Sequence, residues 1–374
     1  MRAGWKQFAI TLCVLATLAP CAHAQTATAA ERAAHLKRGI NLSMWWAQAG
    51  DYSAARLDTF TTADDFKLIK SLGFDHVRLS VNPEPLTDDP TSGALKPEPI
   101  ARLAKTVAAI NAAGLVVVLD VHPESSYKAK LLQAEDGPRQ VEEFWRNFAR
   151  AFASTDPALV YFELMNEPEV QDGYRWAGLQ ARLVGVVRSE APKHTIIATG
   201  AAWSAVDKLV DMEPVADDNV IYTFHFYEPY WFTHQSASWA GAQYLFVHNV
   251  PYPPTAESVA KILDEEPDPA ARYHFRIYAI EGWGPQRMDA VMLTAQEWGD
   301  KHHVPVWLGE FGVYLKAPAA DRQRWITDVR TAAEAHNIGW CMWDYQGGFG
   351  LVSKDGGKTT LDQGVVTALG LKPQ

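Results

Sequence analysis

The chain has 374 residues, of which 48% are hydrophobic and 21% charged, with 25 Gly and 22 Pro. That balance excludes disorder, collagen and coiled coil, and it supplies material for a large core. A formal charge of −10 argues against nucleic acid or an anionic membrane as partner, since both repel an acidic surface.

Residues 1–24 read as a secretory signal peptide: a basic start at Arg2 and Lys6, an apolar run from Phe8 to Leu18, and small residues at Ala22 and Ala24 before Gln25. The apolar run falls short of the roughly 20 residues that a membrane span needs. Pro20 directly before Cys21 fits lipid attachment poorly. Removing this segment takes the charge to about −12 and leaves Cys341 as the last cysteine, so the mature protein, residues 25–374, relies on its core and not on disulfides. A secreted monomer, periplasmic or extracellular, is the expectation.

Past Gln25, short β-branched runs alternate with longer stretches of helical period, the pattern of a parallel sheet with crossover helices. The strands are expected at Arg38 to Leu42, Asp75 to Ser80, Leu115 to His122, Val160 to Pro168, Thr195 to Gly200, Val220 to Glu228, Val304 to Phe311 and Ile338 to Tyr345. Helices are expected at Thr62 to Leu72, Pro97 to Ala113, Pro138 to Ala153, Asp172 to Glu190, Ala205 to Met212, Arg287 to His302, Asp321 to His336 and Asp362 to Leu371. Eight strands each followed by a helix predict an α/β fold, a single-domain (β/α)₈ TIM barrel. Its longest connection, after strand six, runs from Pro229 to about Gln286 and reads as an enlarged, aromatic-rich loop.

In such a barrel the site forms at the C-terminal ends of the strands. Those ends carry Arg78, His122, Asn166, Glu167, His225, Tyr227, Glu310 and Trp343. Two glutamates on strands four and seven approach across a narrow mouth. That suits glycoside hydrolysis, in which carboxyl groups stand roughly 5–5.5 Å apart in retaining enzymes and roughly 6.5–9.5 Å apart in inverting ones. Two histidines beside two carboxylates also suit a metal, which keeps a metal-dependent hydrolase or isomerase as an alternative. The expectation is no metal and no cofactor. Trp45, Trp46, Trp231, Phe232 and Trp239 are candidates to line a cleft, with loop packing as the competing role.

The segment Tyr161-Phe162-Glu163-Leu164-Met165-Asn166-Glu167-Pro168 resembles the acid/base segment of glycoside hydrolase family 5 in clan A, and Leu308-Gly309-Glu310-Phe311-Gly312 resembles its nucleophile segment. Arg38 to Leu42, Val77 to Leu79, Asp120 to His122, His225 to Tyr227 and Trp343-Asp344 resemble the family's other segments, in its order. The resemblance covers about Leu36 to Gly350. It implies Glu310 as nucleophile and Glu167 as acid/base of a retaining double displacement, with Arg78 and Tyr227 supporting the Glu310 charge. A charged Glu310 nearby is then the expected reason for Glu167 to stay protonated. The resemblance further implies Asn166 as donor to the sugar 2-hydroxyl, His122 and His225 as positioning groups, and Trp343 as platform for the pyranose. The substrate expected is a β-glucan, cut at internal β-1,4 bonds as a cellulase does. The alternatives are mannanase, licheninase, xyloglucanase or β-1,3-glucanase activity, or a glucan-binding barrel whose catalysis has lapsed.

Overall fold

Eight parallel strands close into a barrel in chain order, with the last pairing back onto the first. They are β1 (Arg38–Trp46), β2 (His76–Val81), β3 (Val116–Val121), β4 (Val160–Glu163), β5 (Ile196–Thr199), β6 (Val220–Phe226), β7 (Val306–Phe311) and β8 (Gly339–Met342). The computed structural model describes residues 28–89, 92–133, 136–245 and 247–372 together with Met1. The expected signal peptide, with Cys13 and Cys21, lies outside the described residues. Among the described residues no helix is long and apolar enough to cross a membrane.

Why these runs become central strands is visible in β3, whose Val-Val-Val-Leu-Asp-Val is buried at every position, as a strand covered on both faces must be. Alternation then divides its residues between two environments. Val117, Leu119 and Val121 face the helices, whereas Val116 and Val118 enter the lumen with Tyr161, Ile197, Ile221, Trp307 and Cys341. Leu36 and Ala29 of the short helix Ala29–Ala33 join this apolar plug. One inward position further along the strands the lumen turns polar, with Arg78, Asp120, Glu163, Thr199 and Thr223 at 1% exposure or less. A polar layer so dry must satisfy itself, and that requirement shapes the mouth above it.

The outer ring comprises α1 (Ala63–Ser71), α2 (Pro97–Ala112), α3 (Gly137–Phe152), α4 (Gly173–Glu190), α5 (Val206–Val210), α6 (Pro285–His302), α7 (Ala319–Ala335) and α8 (Gln363–Ala368). On α3 the buried positions Val141, Phe144, Trp145, Phe148, Ala149 and Phe152 follow the helical repeat and make one apolar stripe against the sheet. Much of the tryptophan content is spent here. The indole N–H groups of Trp145, Trp176 and Trp325 donate to the carbonyls of Leu164, Thr199 and Glu228 at 3.0, 2.8 and 3.0 Å. Each acceptor lies at or just past a strand end, so the helices hold the strand tips as well as covering the sheet.

The connection after β6 is enlarged as expected, but it is mainly helical, with helices at Tyr230–Thr233, Ala242–Leu245, Ala256–Glu265 and Pro269–Glu281. The prolines that read as loop sit outside these helices or at their first turn. The stops are chemically plain: Thr255 forms a capping box with Ser258, Asp268 caps the helix that Pro269 begins, and Gly282 ends it with φ of 63°. The unit docks on α7, where Tyr252 donates its hydroxyl to Asp328 at 2.9 Å and its N–H to Asp321 at 3.1 Å.

Gly39 shows how tightly the lumen is filled. A Cβ there would sit 2.0 Å from Nε2 of His76. That ring is fully buried, held by Asp75 at 2.5 Å and edge-on to Trp307 at 5.5 Å. Gly39→Ala should therefore cost about 1–3 kcal/mol through overpacking, read as a lower urea midpoint with unchanged slope. An unaltered midpoint would show that the His76 ring swings aside freely.

Candidate active site

Arg78 of β2 is fully buried and is the cation on which the mouth is organised. Its guanidinium donates to both oxygens of Glu163 at 2.7 and 2.8 Å, to Glu310 at 2.6 Å, and to the carbonyl oxygens of the Asn41 and Asn166 side chains at 3.0 Å each. Asp120 lies 3.1 Å away on the same group. Burial opposes the charge on Arg78, and Asp120, Glu163 and Glu310 override it, holding the guanidinium well above its ordinary value. Burial likewise pushes the Asp120 carboxyl up to about 6 and raises that of Glu163, in both cases against the pull of Arg78.

Glu310, at the end of β7, carries a second support, since the Tyr227 hydroxyl donates to its other oxygen at 2.7 Å. Burial and then the Glu310 charge hold that phenol well above its usual range, so it stays a donor. Glu167 faces Glu310 from the far side of His225, whose Nδ1 lies 2.9 Å from Glu167 and 3.6 Å from Glu310. Oxygens of the two glutamates and a nitrogen of this histidine all fall within 4.8 Å of one another. Burial pushes the Glu167 carboxyl up, while Lys128, His122 and Arg78 pull it down. Desolvation is thus the main cause of its raised affinity for a proton, rather than the charge on Glu310 expected from the sequence. Lys128 is itself buried and paired with Glu169 at 3.4 Å.

Backbone strain concentrates here. Glu167 has φ of 42°, and Ala202, Trp203 and Ser204 have φ of 45°, 61° and 58°. Four non-glycine residues in left-handed territory persist only where their surroundings over-determine them. The amide of Trp203 donates to the carbonyl of Pro168 at 3.1 Å and that of Ala202 to Val170 at 3.0 Å, which ties this loop to the segment bearing Glu167. The Trp203 side chain is left 50% exposed beside it.

On the opposite flank, His122 stacks on Trp343 with ring centroids 5.6 Å apart and planes inclined by 18°. His122 Nδ1 lies 2.7 Å from Asp120 and its Nε2 3.1 Å from the Asn166 amide nitrogen. Burial brings His122 down to about 3 and His225 to about 4, so both rings are neutral at ordinary pH. All eight residues singled out in the sequence therefore meet around one mouth.

Glu163, Asp120, Asn41, Lys128 and Trp203 were not singled out. For the first two a signal existed: inward parity in the strands beside Arg78, where a buried guanidinium needs counter-charges. Among the cleft candidates, Trp45, Trp46 and Phe232 prove to be buried core, and Trp231 packs within the insertion against Tyr244 and His274 at 4.7 and 4.8 Å. Trp239 is 59% exposed and leans edge-on against Tyr314 at 4.7 Å. Cys341 faces the lumen as a packed thiol, and Asp344 accepts from the Ser43 hydroxyl.

Glu167, His225 and Glu310 form the group that could hold a metal among the described residues. Glu310 already accepts from Arg78 and Tyr227, which leaves it poorly disposed as a ligand.

A family model described as cellulase, glycosyl hydrolase family 5, matches residues 37–348. Endoglucanase C of Acetivibrio thermocellus is 28% identical over 317 residues, covering 83% of this chain and 91% of its own. The solved structure of endoglucanase Cel5A from the hyperthermophilic Thermotoga maritima is 25% identical with a TM-score of 0.73, covering 92% of this chain and all of that one. That of the cellulose synthase subunit Z from Clostridioides difficile is 25% identical with a TM-score of 0.72, covering 89% and 99%.

The ion cluster makes a prediction about stability. Asp120 holds its proton more tightly folded, at about 6, than unfolded, at about 3.9, so its contribution is present at low pH and is lost as pH climbs from about 4 to about 6. Arg78→Met removes the cation that offsets this loss, and should cost about 3–5 kcal/mol at neutral pH. Much of that should return near pH 4.5, where Asp120 has taken up its proton. Urea melts at both pH values test this, and an equal penalty at the two would place its origin in packing.

Proposed function

The chain belongs to glycosyl hydrolase family 5, the cellulase family, and from that membership we propose that it is a secreted, retaining endo-β-1,4-glucanase with Glu310 as nucleophile and Glu167 as acid/base. The observation that carries the reading is the approach of the two carboxylates to within 4.8 Å. With their nearest oxygens that close, the pair accords with the roughly 5–5.5 Å between carboxyl groups of a retaining enzyme better than with the roughly 6.5–9.5 Å of an inverting one.

In the first step a Glu310 oxygen bonds to the anomeric carbon while the glycosidic C–O bond breaks, and Glu167 gives its proton to the departing oxygen. In the second, Glu167 takes a proton from water, whose oxygen displaces Glu310. Each glutamate has the environment its task needs. Arg78 and Tyr227 support the negative charge on Glu310, and desolvation raises the affinity of Glu167 for a proton. His225, neutral, bridges the two acids without adding charge. Asn166 has a second N–H available for the sugar 2-hydroxyl once the first is given to His122.

Trp343, held parallel to His122, offers its face to the pyranose at the reacting position. Trp203 on the β5 loop and Trp239, packed against Tyr314 and Phe349 past β7 and β8, are exposed on different loops and suit contacts with a sugar chain that continues past the cleavage point. Export is supported by the N-terminal pattern of Arg2, Lys6 and the run from Phe8 to Leu18. Release of reducing ends from carboxymethylcellulose, mixed-linkage glucan, mannan and laminarin, compared side by side, tests the substrate; mannan or laminarin as the preferred polymer would overturn the β-1,4-glucanase assignment.

For the residues, Glu310→Ala should abolish turnover of an aryl β-cellobioside, and azide should restore it with formation of the α-glycosyl azide. Glu167→Ala should lose about 10²–10⁴-fold on substrates with poor leaving groups and far less on a dinitrophenyl glycoside. Retained activity in Glu310→Ala would reject it as the nucleophile.

A further inference from the structure

We propose that Asp120 is a positioning residue for the Asn166 amide, acting through His122 in a closed ring of three hydrogen bonds and one ion pair that decides which atom of Asn166 meets the sugar. The inference rests on the reading of Asn166 as the donor to the 2-hydroxyl, and adds to it the group that sets the amide's orientation.

The ring has four members. Arg78 donates to the Asn166 carbonyl oxygen at 3.0 Å, the Asn166 amide nitrogen meets His122 Nε2 at 3.1 Å, His122 Nδ1 meets Asp120 Oδ2 at 2.7 Å, and the same Asp120 oxygen lies 3.1 Å from Arg78. Its direction is forced by chemistry. A guanidinium has donors and no acceptor, so the Asn166 atom facing it is the oxygen. The NH₂ group then faces His122, whose Nε2 must accept and whose single ring proton must sit on Nδ1. A proton on Nδ1 needs an acceptor, and Asp120 is the one present.

Water cannot readily substitute in this ring. Arg78 and Asp120 are fully buried, Asn166 is 3% exposed and His122 6%. His122 is further held in plane by its stacking on Trp343. Its burial keeps it neutral, as an accepting Nε2 demands. Without an acceptor at Asp120 the proton can move to Nε2, where it confronts the Asn166 NH₂ group. The amide cannot answer by turning over, because its nitrogen would then point at the Arg78 donors. One of the two contacts must open, and the N–H reserved for the sugar loses its aim.

A single Asp120 oxygen makes both contacts. An asparagine at this position can keep its oxygen where Oδ2 stands. Asp120→Asn therefore preserves the ring and Asp120→Ala breaks it, which separates an acceptor's role from that of a charge.

The test measures kcat/KM for the wild type, Asp120→Ala, Asp120→Asn and Asn166→Ala on an aryl β-cellobioside and on its analogue lacking the 2-hydroxyl at the reacting sugar. Asp120→Ala should lose about 10- to 100-fold on the parent glycoside and less than about 3-fold on the 2-deoxy analogue, matching the pattern of Asn166→Ala, because a bond to the 2-hydroxyl matters most in the transition state. Asp120→Asn should stay within about 3-fold of wild type on both. Equal losses on the two substrates in Asp120→Ala, with Asn166→Ala showing the selective loss, would overturn the proposal. A loss in Asn166→Ala that persists on the 2-deoxy analogue would instead overturn the reading of Asn166. In that event ¹⁵N spectra of the histidine rings decide the proposal. His122 protonated on Nδ1 in wild type and Asp120→Asn, and altered in Asp120→Ala, supports it. A proton on Nε2 in the wild type, or an unchanged tautomer in Asp120→Ala, overturns it. The spectra also serve if Asp120→Ala folds poorly, since the wild-type and Asn tautomers are read without it.

Discussion

A guanidinium without access to water stands between three carboxylates in the throat of this barrel, and the mouth takes its geometry from that ion cluster. Arg78 can remain charged there only because Asp120, Glu163 and Glu310 surround it, and they can gather so closely only because it is charged. One cation does not neutralise three anions, and both neighbouring histidines are neutral. Desolvation settles the difference by raising the proton affinity of Asp120, Glu163 and Glu167. The raised proton affinity of the acid that the proposed chemistry needs thus comes from its own desolvation, which Lys128, His122 and Arg78 oppose.

Position has a second source in the outer layer. Trp145 donates to the carbonyl of Leu164, two residues before Asn166, and Trp325 to that of Glu228, next to Tyr227. Asn41 reaches from β1 to the carbonyl of Gly309, beside Glu310. The segments bearing reactive groups leave their strands under tension, as the left-handed Glu167 records, and these bonds fix where they emerge. Core packing and site geometry are here one problem: an indole chosen for its bulk also aims a glutamate several residues away.

The barrel was legible because its signals are redundant. Eight runs such as Val116 to Val121 alternate with capped, periodic helices, and every expected strand and helix is present with shifted ends. The eight site residues were legible because strand ends in this architecture share one mouth, and because the flanking segments resemble a known family. Glu163 and Asp120 escaped because a charge inside a strand reads as part of a motif until its inward parity beside Arg78 is considered. Trp203 escaped because its exposure follows from three left-handed residues that no composition announces. Trp45 and Trp46 were offered to the cleft because adjacency to a strand end does not reveal that both rings are buried, Trp45 against Phe66 of α1 at 6.2 Å. The insertion after β6 read as loop because its prolines outweighed its caps.

The account stands on two carboxylates close enough to act on one anomeric carbon from its two sides. The most direct measurement is the configuration of the first sugar released, followed by proton NMR during hydrolysis of a β-1,4-linked cello-oligosaccharide before mutarotation intervenes. The β anomer appearing first is the result the proposed double displacement predicts. The α anomer first would mean that water, rather than Glu310, attacks the sugar, and would contradict it.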